Sequence, residues 1–226
     1  AQIQTLPFEV GADEKYYVKG GNTATDVGNY NLEIELSDKV NYVWSSGSSE
    51  NLTIGWKITP VSLGVEIDVP EDLVYDGYGK EATFRLVQGT LYGGAQLTIV
   101  YEQNGKVIDG LPVNAGEYDV VVKLPDVKNY RFASSYTADM TIAKKVVTIK
   151  TNGDREKYYD GKEVTLEELA GNFTVSDGLK VKVTVSGTVL NAGSYKVTAV
   201  LDTANSNYTS NEVSYVYTVR KADRTV

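Results

Sequence analysis

Three stretches of this chain carry the same pair of landmarks, and that repetition limits the fold more than any other feature of the sequence. The first landmark is a glycine followed two residues later by a tyrosine. It occurs as Gly28 and Tyr30 in Asp26-Val27-Gly28-Asn29-Tyr30, as Gly116 and Tyr118 in Asn114-Ala115-Gly116-Glu117-Tyr118, and as Gly193 and Tyr195 in Asn191-Ala192-Gly193-Ser194-Tyr195. The second is an Asn-Tyr pair ending at Tyr42, Tyr130 and Tyr208, which trails the glycine by 14, 14 and 15 residues. Two stretches also open with Tyr-Asp-Gly, at Tyr75-Asp76-Gly77 and Tyr159-Asp160-Gly161. A chain of 226 residues built this way divides into small modules rather than one large core. The landmarks place modules at 1–60, 61–144 and 145–222, with 223–226 as the start of a further unit. Almost no linker separates them, so an elongated rod of modules is expected.

Between the landmarks the hydrophobic period is two. Tyr30, Leu32, Ile34 and Leu36 alternate with Asn31, Glu33 and Glu35, and the runs from Tyr118 to Leu124 and from Tyr195 to Leu201 repeat the pattern. A second alternating run closes each stretch: Leu52 to Ile58, Tyr136 to Ile142, and Val213 to Val219. Alternation puts one strand face on a core and the other towards water, so the fold class is all-β. The glycines of the two Asn-Ala-Gly motifs, Gly116 and Gly193, are expected at positive φ, in a turn that starts the strand. The Asn of each Asn-Tyr pair is expected to end pairing through its side chain, while the ring covers the core and its hydroxyl bonds backbone. One helix is expected at Thr165-Leu166-Glu167-Glu168-Leu169-Ala170-Gly171, where a capping Thr has Glu three residues on and Gly stops the turn.

Composition closes several routes to function. The chain has no His and no Cys, which excludes a Cys–His or Ser–His pair, a thiolate zinc site and disulfides. The net charge of −8 offers no basic face for nucleic acid. No apolar run is long enough to span a bilayer, and the amino terminus shows no signal-peptide pattern.

The order Tyr-Asp-Gly, Asn-Ala-Gly-x-Tyr, Asn-Tyr, then a strand ending Ile-x-Lys, resembles the tandem YDG- and MBG-type repeats of large bacterial surface and adhesin-like proteins. The resemblance covers most of 61–222 and the back half of 1–60. It implies Ig-like sandwiches, with β-grasp-like units as the alternative that the short helix keeps open. It also implies an extracellular setting, on a bacterial cell surface or secreted, and carries over no catalytic residue. The first stretch departs from the pattern: nothing corresponds to 146–170, so its opening strand and Tyr-Asp-Gly are missing, and an open sheet edge is expected near residues 1–20. The tail 222–226 reads as the start of a leading strand.

Candidate sites are few. The carboxylate pairs Glu33/Glu35, Glu71/Asp72 and Glu167/Glu168 read as a solvated face or a helix start rather than a glycosidase pair. The acidic bends at Asp76, Asp160 and 202–207 lack calcium-loop spacing and read as turns, so no metal and no cofactor is expected. Tyr17, Trp44, Tyr78, Tyr92 and Tyr158 fall off the core-facing alternation or in loops, where aromatics serve as sugar platforms. Asn-x-Ser/Thr sequons stand at Asn51, Asn172 and Asn207. A Lys–Asn isopeptide cross-link would need a buried Lys, Asn and carboxylate together, and the sequence singles out no such set. The reading that follows is a non-catalytic segment of adhesive or spacer repeats, with a host protein or glycan as its surface ligand. The alternative is a carbohydrate-binding accessory module of a secreted polysaccharide-degrading enzyme. The segment itself is expected to be monomeric, with weak head-to-tail contacts at most.

Overall fold

The computed structural model describes residues 3–11, 14–124, 126–202 and 207–224. The chain packs as two compact units, one formed by Ala1–Val69, Glu81–Gly110 and Asp119–Asp139, the other by Pro70–Lys80, Leu111–Tyr118 and Met140–Val226. The fold is all-β apart from one helix of five residues, and among the described residues no sheet closes into a barrel.

In the first unit, Gly28–Leu36 is the central strand of a three-stranded antiparallel sheet between Tyr16–Gly20 and Leu52–Ile58. The predicted alternation appears as burial: Leu32, Ile34 and Leu36 lie inside while Asn31 and Glu33 face water. The flanking strand behaves differently. Leu52 and Ile54 face the buried Ile34 and Leu32 in register, yet both remain about two-fifths exposed because Leu52–Ile58 has a neighbour on one side only. A second core gathers around Val61–Asp68, which pairs parallel with Tyr130–Phe132 and antiparallel with Thr83–Gln88. Leu63, Val65, Leu97, Val122 and Tyr130 close this core. Each such aliphatic side chain contributes about 1.5–3 kcal/mol on leaving water.

The second unit contains a mixed four-stranded sheet in the order Arg155–Tyr158, Val213–Arg220, Gly193–Leu201, Val181–Val185. The first pair runs parallel, the others antiparallel. The helix Leu166–Ala170 forms where the sequence puts it: Thr165 accepts from the Glu168 amide while the Glu168 carboxylate accepts from the Thr165 amide. Leu169 anchors the helix in a core with Ile149, Phe173, Val189, Val197 and Tyr215. The Tyr215 hydroxyl donates to the Leu169 carbonyl at 3.2 Å, satisfying one of the helix's terminal acceptors.

This sheet shows what the first stretch of sequence lacks. Val213–Arg220 has Arg155–Tyr158 beside it, whereas Leu52–Ile58, at the same place in its own sheet, has no such partner among the described residues. Among the described residues this sheet is open at Leu52–Ile58 and also at Tyr16–Gly20, its other edge strand, which lies within the stretch where an open edge is expected. Residues 225–226 of the tail lie outside the described residues.

Candidate functional site

The three Gly-x-Tyr landmarks build one local structure. The glycine is the first residue of a strand in each case: Gly28–Leu36, Gly116–Lys123 and Gly193–Leu201. The tyrosine, two residues on, leans back over it, and its hydroxyl donates to the carbonyl four residues upstream. Tyr30 reaches Asp26 O at 2.6 Å, Tyr118 reaches Asn114 O at 2.8 Å, and Tyr195 reaches Asn191 O at 2.8 Å. These bonds tie the entering loop to the strand it feeds, as a tyrosine corner does. The expectation of positive φ needs correction. Gly116 has φ 155°, but Gly193 has no positive φ, and neither does Gly28, for which none was expected. At Gly28 the requirement is space: a Cβ there would lie 3.2 Å from the Tyr30 hydroxyl. Burial also differs from expectation, because Tyr118 is buried whereas Tyr195 is only half-buried.

The Asn-Tyr landmarks do more than end a strand. In the first unit the Asn129 side chain accepts from the Val27 amide at 2.8 Å and donates to Asp26 Oδ1 at 3.2 Å. In the second unit Asn207 Oδ1 accepts from the Ala115 amide at 2.8 Å, and its Nδ2 donates to Asn114 Oδ1 at 2.9 Å. An asparagine thus clamps the Asx-x-Gly loop of the stretch preceding it in sequence, at two places with one geometry. The adjoining backbone repeats as well: Asn129 O accepts from Val61 N and Asn207 O from Lys145 N, both at 2.9 Å. Nothing in the sequence except the constant spacing pointed to this pairing. The three tyrosines of these pairs differ. Tyr130 is buried, its hydroxyl accepting from the Tyr92 amide at 2.9 Å. Tyr208 meets the Tyr75 ring edge-on at 5.4 Å. Tyr42 stays exposed, contrary to the expected role over a core.

The Tyr-Asp-Gly turns are Asx turns with a lysine counterion. Asp76 accepts from the Tyr78 amide and the Lys80 ammonium, and Asp160 from the Lys162 amide and the Lys157 ammonium. Gly77 and Gly161, at φ 86° and 75°, supply the left-handed residue that each turn needs. The Lys80 ammonium holds the Asp76 carboxyl below the usual range, and the Lys162 amide does the same at Asp160. At Glu35, hydrogen bonds from Lys39 and then Tyr17 lower the pKa. These shifts run opposite to what a general acid near neutrality requires. Among the described residues no group of three or more acidic side chains is placed to hold a metal ion. Residues 203–206 of the third acidic bend lie outside the described residues.

The five aromatics singled out from sequence occupy separate places. Tyr17, Tyr78 and Tyr158 are exposed, and Tyr17 donates to Glu35 at 2.9 Å. Trp44 packs on Tyr16 and donates to the Glu50 carbonyl at 2.6 Å. Tyr92 lines a hollow of about 380 Å³ in the first unit with Trp56, Tyr130 and Asn129. No ring pair joins any two of the five among the described residues. Asn172 of the second sequon is buried, its amide donating to Gly153 O at 2.8 Å, so it is closed to modification in the folded chain. It is also the one polar or charged residue of the buried class among those described, so no buried lysine or carboxylate accompanies it for a cross-link.

Residues 71–146 match the family model described as the MBG domain. No curated protein matches the chain. The likeness to YDG/MBG-type domains drawn from the landmarks therefore holds for this stretch, which is similar to a surface-type, adhesin-like, non-catalytic module. No helix among the described residues is long and apolar enough to cross a membrane.

Proposed function

We propose that this chain is a non-catalytic segment of a bacterial surface protein, in which repeats at 1–60, 61–144 and 145–222 act as adhesive or spacer elements outside the cell. The observation that carries the reading is where the polar groups of the landmarks go. The hydroxyls of Tyr30, Tyr118 and Tyr195, and the amides of Asn129 and Asn207, are bound to backbone or to neighbouring loops. They hold the chain's shape and leave little chemistry over, as in a module selected for structure. The match of 71–146 to the MBG domain supports the same reading.

The competing reading, a carbohydrate-binding accessory module, rests on the hollow that Tyr92 and Trp56 line and on the exposed ring of Tyr17. A glycan array probed with the segment separates the two. A spacer gives no selective signal. Retention on one polysaccharide class, lost in Tyr92→Ala or Tyr17→Ala, overturns the spacer reading. If retention survives both substitutions, another surface carries the binding and the adhesive form of the reading stands.

A further inference from the structure

The clamp made by Asn129 and by Asn207 has one loop and one corner that do not take part. The loop is Asp38–Tyr42. Its internal geometry copies the Asp126–Tyr130 loop: the third-residue amide and the Asn amide both donate to the Asp Oδ1, the Asn Nδ2 donates to the Asp Oδ2, and the Tyr amide donates to the Asp carbonyl. The Nδ2 bond measures 2.6 Å in both, and the Tyr amide bonds measure 3.1 and 3.2 Å. In Asn129, Oδ1 goes on to accept from Val27; in Asn41 no partner meets Oδ1 among the described residues, and Asn41 and Tyr42 are exposed.

The corner is Asn191-Ala192-Gly193. It is the counterpart of Asn114-Ala115-Gly116, where Asn207 is seated, yet Asn191 and Ala192 are exposed and no asparagine among the described residues clamps them. They line an open hollow of about 630 Å³ with Tyr159, Asp160, Gly161, Lys221, Ala222 and Arg224. Each wall has a counterpart around Asn207. Tyr159 stands where Tyr75 meets the Tyr208 ring, and Ala222 stands where Lys145 N–H donates to Asn207 O. The Tyr159 ring is 44% exposed and the Tyr42 ring 42%, so the ring contact found between Tyr75 and Tyr208 is open on both sides.

We propose that this hollow is a docking site for a second copy of the chain, which inserts its Asp38–Tyr42 loop. The copy's Asn41 Oδ1 accepts from the Ala192 amide, its Nδ2 donates to Asn191 Oδ1, its carbonyl accepts from the Ala222 amide, and its Tyr42 packs on Tyr159. The occupant is argued from the chain itself, since the same loop fills the same kind of corner at two other positions. Loop and corner belong to different parts of the sequence, so the contact is heterologous, and a pair of copies still carries one unused loop and one unused corner to which further copies add. The inference holds whatever ligand the segment displays.

Sedimentation velocity at moderate salt, from about 10 μM to about 1 mM chain, tests it. The unaltered chain should show a weight-average mass that rises past the dimer. Asn41→Ala removes the loop's amide and Asn191→Ala the corner's, and each alone should lower the association constant at least about tenfold. Mixed in equal amounts, the two variants should associate again and stop at the dimer, since one retains the corner and the other the loop. That recovery also shows that both variants are folded. A chain that is monomeric throughout overturns the proposal. So does association that both substitutions leave intact, which would place the contact on another surface.

Discussion

Replacing Asn129 with alanine tests whether the clamp contributes energy or only accompanies the fold. The substitution removes the bond that serves the Val27 amide at 2.8 Å and two donations, to Asp26 at 3.2 Å and Asp126 at 2.6 Å. A partly buried amide left without an acceptor costs about 1–3 kcal/mol, whereas a solvent-exposed carboxylate regains most of a lost bond from water. The expected loss is therefore about 2–3 kcal/mol. Asn41→Ala is the internal control, because Asn41 makes the equivalent 2.6 Å bond to Asp38 and no clamp. It should cost about 0.5 kcal/mol. The assay is favourable because the chain's two tryptophans, Trp44 and Trp56, both lie in the unit that holds Asn129 and Asn41. Urea unfolding followed by tryptophan fluorescence therefore reads that unit. With a slope of about 2 kcal/mol per molar urea, the midpoint should fall by about 1–1.5 M in Asn129→Ala and about 0.25 M in Asn41→Ala. Equal shifts in the two variants would refute the reasoning, for the clamp would then add nothing to the bond within the loop.

The tyrosine corner should divide into a hydroxyl part and a packing part: Tyr118→Phe should cost about 1 kcal/mol and Tyr118→Ala about 3–5 kcal/mol, while Tyr195→Ala, half-exposed, should cost less. Denaturant unfolding that finds Tyr118→Phe as damaging as Tyr118→Ala would contradict this division. Gly21, at φ 78°, sits beside the bulge between Val18 and Gly20, and a Cβ there would lie 1.9 Å from Asn31 O. Gly21→Ala should thus cost at least about 2 kcal/mol, whereas Gly47→Ala, at φ 82° with open space around it, should cost only the backbone preference of about 1 kcal/mol; equal melting temperatures would refute the steric argument. Acid should destabilise the chain. The carboxyls of Asp38, Asp76, Asp126, Asp160 and Glu35 are all held down in the folded state, first by Asn41, Lys80, the Lys128 amide, the Lys162 amide and Lys39 respectively. Depressed groups add stability above their unfolded values, near about pH 4, and that part is lost as pH falls through the lower folded values. Melting temperature should be level at neutral pH and fall below about pH 4; a rise on acidification would contradict the sign.

The sequence made strands legible because their signal is local. Leu32, Ile34 and Leu36 alternate with polar residues, and the core accepts the face that alternation offers. The helix was legible for the same reason, since Thr165 and Glu168 complete a capping box inside one turn. The clamp was hidden because its partners are 102 residues apart for Val27 and Asn129 and 92 for Ala115 and Asn207. An asparagine before a tyrosine carries no local mark of the loop it will meet. Gly193 was misjudged for a related reason. Positive φ is the commonest demand on a turn glycine, but Gly193 is already the first residue of a strand and takes none, while at Gly28 the demand is room for the Tyr30 ring. Leu52 and Ile54 show the limit of periodicity, which assigns a face without stating whether anything covers it.

The hydrogen bonds also explain why tyrosine, with 17 copies, is so common here while histidine and cysteine are absent. A small β module has a thin core and loops that must be pinned from within. A tyrosine serves both needs, since the ring fills the core and the hydroxyl reaches a loop carbonyl four residues back. Asparagine does the corresponding work for the next loop, pairing with a backbone amide that no strand satisfies. Both residues are neutral at physiological pH, so the pinning does not depend on a titrating side chain. Residues that a search for chemistry would nominate first are thereby committed to the backbone, and activity must come from surfaces the clamp does not reach. Asn41 and Asn191 are where that logic leaves groups over, and the groups left over match each other.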